Sequence, residues 1–102
     1  MLFRSRHLAL RDRILLEVRE ARLRREHALK EWVLVRESML PDLDAMVRRA
    51  RLSHEAGDAS PVLFMEAERR LADAQALLAE ATAEVRRADA ELARAVGLRF
   101  GK

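Results

Sequence analysis

The sequence predicts an all-α protein: one long antiparallel helical hairpin, paired as a coiled coil. Three observations carry this. Helix formers dominate a chain of 102 residues, of which 36% are charged, with three Gly, two Pro and no Tyr; that bias points to long helices rather than a compact mixed fold. Apolar residues recur at alternating steps of three and four along most of the chain. One short stretch, Ser53 to Phe64 (SHEAGDASPVLF), interrupts that pattern and carries helix-ending chemistry on both sides.

The second arm has the cleaner pattern. Phe64, Ala67, Leu71, Ala74, Leu78, Ala81, Val85, Ala88, Leu92 and Ala95 form a heptad seam of over four heptads. One of its two positions is always alanine and the other is large. A row of alanines lets a neighbouring backbone approach closely, and strict recurrence every seven residues favours packing over helix propensity alone. A second small-residue stripe, Ala72, Ala76, Ala79, Ala83, Ala90 and Ala93, is broken once by Arg86. At about 100° per residue it lies roughly 150° from the seam. Small residues on two opposed flanks suit a helix with a neighbour on each side, as in a wall or cylinder of helices.

The first arm is longer and less regular. Ile14, Val18, Ala21, Ala28, Trp32, Val35 and Met39 keep the spacing, with Arg25 interrupting it. The seam then steps by four to Leu43 and continues to Met46 and Ala50. The successive fours, 35–39–43, form a stutter that locally relaxes a left-handed supercoil. Pro41 falls within it; a proline inside a helix removes one donor and crowds the carbonyl four residues earlier. Two outcomes stay open, one long helix bent near Leu40–Pro41 or two separate helices. Asp42 and Asp44 would suit the first turn of a resumed helix.

The bend follows from Gly57, which can end the first arm in the left-handed conformation, and from Ser60 and Pro61, which suit the N-cap and first position of the next helix. The predicted layout is a single hairpin over 1–102: helix 1 over about 9–55 with a kink near Pro41, a tip turn at 57–60, helix 2 over about 61–96 closed by Gly97, and a tail at 97–102.

Several function classes find no support. The chain has no cysteine, which excludes disulfides and thiolate metal sites. His7, His27 and His54 share no ligand spacing. No nucleophile has a partner base, no glycine-rich loop could cradle phosphate, and Glu66 and Glu68 cannot face each other on one helix. No catalytic, cofactor or metal site is expected, and the chain does not read as an enzyme. No run of about 18 apolar residues could span a membrane as a helix. The opening MLFRSRHLALRDRILL is broken by Arg11, Asp12 and Arg13 and does not read as a signal peptide. Residues 1–56 hold 13 Lys and Arg against 9 Asp and Glu, and residues 57–102 hold 7 against 8. Acidic residues interleave the basic ones, as on a solvated helix surface, so nucleic acid is not an expected partner.

The stretch from Ala50 to Gly97 resembles the C-terminal helical hairpin of TolC-family outer-membrane efflux proteins. The likeness lies in the turn glycine Gly57, then Glu66-Ala67, Leu71, Ala74, Leu78 and Ala81, and a close on Leu92, Ala95, Val96 and Gly97, forty residues after Gly57. Upstream, Glu17 to Ala50 resembles the preceding long helix, and the resemblance extends over about 9–97. It implies a hairpin in a periplasmic α-barrel, a homotrimer in the full-length context, and an outer-membrane and periplasmic location. It also implies a periplasmic adaptor docked on the tip (Ala56, Gly57, Asp58, Ala59 and Ser60) and an inner-membrane efflux pump as further partner.

The chain departs from that family in ways that change the expectation. Full members are several times longer, with two repeats, membrane strands and an export signal, so this chain reads as the last hairpin alone, a fragment or a truncated member. Some members narrow the pore with two acidic residues near the tip. Glu66 matches the second; Leu63 stands at the first, and Ala59 replaces a basic loop residue. Leu63 and Glu66 are therefore the candidate pore constriction, and the implied gate is more apolar. The alternative is a stand-alone coiled-coil scaffold, cytoplasmic if expressed alone. A weaker third reading, a nucleic-acid binder using the arginines of the first arm, predicts strongly salt-dependent binding.

Overall fold

A computed structural model describes residues 2–58 and 60–99. In chain order these form α1 (Leu2–Leu34), a five-residue π-turn (Val35–Met39), α2 (Leu40–Glu55) and α3 (Pro61–Arg99). The fold is all-α, a helical hairpin.

The ends of the arms differ from the sequence-based expectation. α1 begins at Leu2 rather than near residue 9, because no glycine or proline lies before it to stop a helix. Gly97 does not close the second arm: it is helical, and α3 runs on to Arg99. Leu98 and Arg99 after it are good helix formers, so a single glycine is carried at a cost of about 1 kcal/mol. The tail expected from 97 therefore loses residues 97–99 to the helix, and residues 100–102 lie outside the described residues.

Two compact units divide the chain, Met1–Leu29 with Ala83–Lys102, and Lys30–Thr82. In the first, Val18, Ala21 and Ala95 form a buried cluster against which Leu92 and Val96 pack, with Ala28 and Ala88 also buried. Small residues dominate because alanine leaves so little room between helices; Ala21 is only 2% exposed. Arg25, which breaks the apolar pattern, is accommodated at the seam's edge. It is half-buried, and its Nε donates to Asp89 of α3. Its aliphatic stem can cover apolar surface while the head reaches the carboxylate. Arg24 donates to Glu91 at 2.9 Å beside it. Both pairs are substantially exposed, so they contribute register more than stability, at most about 1 kcal/mol each.

In the second unit, Val35, Val47, Ala67 and Ala74 are buried, with Trp32, Met39, Leu43, Phe64, Leu71 and Leu78 half-buried around them. Trp32 spans the interface: its Nε1 donates to Thr82 Oγ1 at 3.0 Å, and that hydroxyl donates to the Leu78 carbonyl at 2.8 Å. Arg36 lies over the indole face, 5.0 Å from its centroid. The ring thus buries apolar area while its N–H is satisfied.

The first arm is not split by a loop. Leu34, Met39 and Leu40 all have right-handed helical torsions, and the Leu40 N–H bonds the Val35 carbonyl five residues back, the π pattern. The irregularity sits just before Pro41. Beyond it the seam passes through Met39, Leu43, Val47 and Ala50. Val47 is 5% exposed, and extrapolating from Leu43 to Met46 misses it; Met46 is half-buried at the edge.

Candidate functional site: the hairpin tip

The turn is built by hydrogen bonds that end one helix and start the next. Gly57 has φ +79°, which any side chain would disfavour. Its N–H bonds the His54 carbonyl at 3.0 Å, and the Asp58 N–H bonds the Ser53 carbonyl at 2.9 Å. These two bonds are the Schellman pattern that satisfies the last carbonyls of a helix. On the other side Ser60 Oγ accepts from the Val62 N–H at 3.2 Å, a side-chain N-cap, and Pro61 fills the first helical position. Ala56, Gly57, Asp58 and Ser60 are all exposed. Ala59, the fifth expected docking residue, lies outside the described residues.

Just behind the turn the two helices are clasped by rings. His54 stacks on Phe64 with centroids 5.7 Å apart and planes 12° apart. The Arg51 guanidinium lies 5.8 Å from the Phe64 centroid. Phe64 therefore serves both as the last large seam residue and as the platform for one imidazole and one cation. Nothing in the heptad pattern signals this cluster, because it needs the pairing of α2 with α3 as well as the face of each.

The tip is also apolar on its outside. Leu52 and Val62 are each 67% exposed, Met65 is 64% exposed and Leu63 is 58% exposed. Single exposed leucines are ordinary; here four large apolar side chains stand exposed within the last turn of one helix and the first turns of the next.

The candidate constriction residues lie together. Leu63 and Glu66 both line an open groove of about 250 Å³ with Met46, Ala50, Ala67 and Arg70. Glu66 is paired with Arg70 at 3.2 Å, one turn along α3. Its charge is thus offset by a neighbour on its own helix, leaving Leu63 as the more distinctive group of the pair.

The second alanine stripe faces out. Ala72, Ala76, Ala79, Ala90 and Ala93 are exposed and Ala83 is half-buried, while the seam alanines Ala67, Ala74, Ala88 and Ala95 are buried. On α1, Leu8, Leu15, Leu16 and Leu23 are exposed as well. Among the described residues no group of three or more His, Asp or Glu gathers as a metal site, and no helix is long and apolar enough to cross a membrane. No protein-family model, curated protein or solved structure matches the chain.

Proposed function

We propose that the chain forms a hairpin of a TolC-like export channel. In this reading its two arms are staves of a periplasmic α-barrel and its tip docks a periplasmic adaptor. The observation that carries the proposal is the pair of alanine faces on α3, one buried against the first arm and one exposed. A helix that must touch neighbours on both sides needs small residues on both. The exposed apolar side chains near the tip support the same reading, since Leu52, Val62, Leu63 and Met65 leave most of their area open to contact. Leu63 with Glu66 would then line the narrowest part of the pore.

A second reading is a self-associating coiled-coil scaffold. It is favoured by Leu15, Leu16 and Leu23 on the outside of α1, which would suit pairing between copies. One experiment separates the two. A photo-reactive residue at Val62 or Leu63 is introduced in the native host, and the cells are fractionated before cross-linked products are identified. The channel reading expects the chain in the envelope fraction, with adducts to a periplasmic coiled-coil protein. A cytosolic chain whose adducts are copies of itself would overturn it in favour of the scaffold.

A further inference from the structure

We infer that the π-turn holds one inserted residue out of the seam, and that this turn, not Pro41, sets which face of α2 meets α3. From Val35 the inward residues are Met39, Leu43 and Val47, three successive steps of four. In an α-helix each step of four overshoots a full turn by about 40°, so three would carry Val47 about 120° out of the seam. Val47 is nevertheless among the most buried residues of the unit. A π-turn takes in one extra residue, removing about 100° of rotation, close to what the drift requires.

The regular alternative shows why the turn persists. An unbroken α-helix would keep the heptad and place Asp42, Met46, Arg49 and Ser53 in the seam. Two of those are charged, and Asp42 and Arg49 are exposed as it stands, while Leu43, Val47 and Ala50 point inward. Closing the turn without removing a residue would exchange apolar seam positions for ionic ones. The clasp of Trp32 on Thr82 before the turn and the His54–Phe64 stack after it are brought into one phase by that extra residue.

The test exploits the absence of cysteine. Val47→Cys and Arg49→Cys, made singly, report by their rate of maleimide labelling which side of α2 is covered. In the full chain Val47→Cys should react at least about tenfold more slowly than Arg49→Cys, as burial protects it. Deleting exposed Ser38 should preserve that difference, although a deletion within an ordinary helix turns everything beyond it by about 100°. Pro41→Ala alone should also preserve it, since the seam and not the proline demands the turn. Because closing the turn brings the Pro41 ring toward a carbonyl, the Ser38 deletion is also made with Pro41→Ala. Protection kept in either deletion supports the inference. Protection lost in both, or lost in Pro41→Ala alone, overturns it.

Discussion

Gly57 holds φ +79°, and a Cβ built there meets nothing within 4 Å. The demand for glycine is therefore backbone strain and not crowding. Gly57→Ala should cost about 1–2 kcal/mol, whereas Gly57→Asn should cost clearly less because asparagine tolerates this conformation. Thermal unfolding followed by circular dichroism would rank the two; equal losses would show that the turn does not depend on the left-handed torsion. Gly97 has the same empty surroundings but a helical backbone. There Gly97→Ala should stabilise by about 0.5–1 kcal/mol. The two glycines look alike as residues and differ in their C-terminal neighbours. After Gly57 come Ser60 and Pro61, which cap and start a helix; after Gly97 come Leu98 and Arg99, which continue one. The stop was legible where a new start came after it, and misleading where none did.

At the scale of the elements, the seam of α3 was readable throughout because its three-four pattern never slips. Each seam position from Phe64 to Ala95 is buried or half-buried. The first arm was readable as far as Leu43 and again at Ala50, but not between them. There the frame depends on a backbone feature, the π-turn, that periodicity registers merely as a stutter, and so Val47 was missed. The Trp32–Thr82 hydrogen bond was hidden for another reason: it requires knowing which residues of the two arms lie level. Thr82 sits beside the seam residue Ala81 and attracts no notice in the pattern. Removing its hydroxyl while keeping its shape deletes this bond together with the hydroxyl's own donation to the Leu78 carbonyl, and a double-mutant cycle separates the two. Thr82→Val should strand the indole N–H at a half-buried site and cost about 1 kcal/mol. The same change made with Trp32→Phe should cost much less than the sum of the two single changes. Full additivity in that double-mutant cycle would mean that the hydrogen bond contributes nothing.

For the whole molecule, the exposure of the large apolar side chains near the tip was not legible in the seams, since Leu52, Val62, Leu63 and Met65 lie off them. The two alanine faces, by contrast, were legible as faces, and they make opposite predictions under one substitution. Ala74 is 3% exposed in the seam. Ala74→Leu must wedge the arms apart, at a cost of about 1–3 kcal/mol. Ala76, two residues on, is exposed. Ala76→Leu leaves the arm pairing untouched, and because leucine is nearly as good a helix former as alanine, the hairpin should unfold within about 0.5 kcal/mol of the original. If α3 packs a neighbour on that side, however, the same leucine blocks a close approach that only a small residue permits. Assembly, measured by sedimentation or by cross-linking in the native envelope, should then fall for Ala76→Leu and for the equivalent Ala90→Leu while hairpin stability holds. Assembly unchanged by both would rule out the second face as a packing surface and leave a hairpin whose outer alanines serve helix propensity alone.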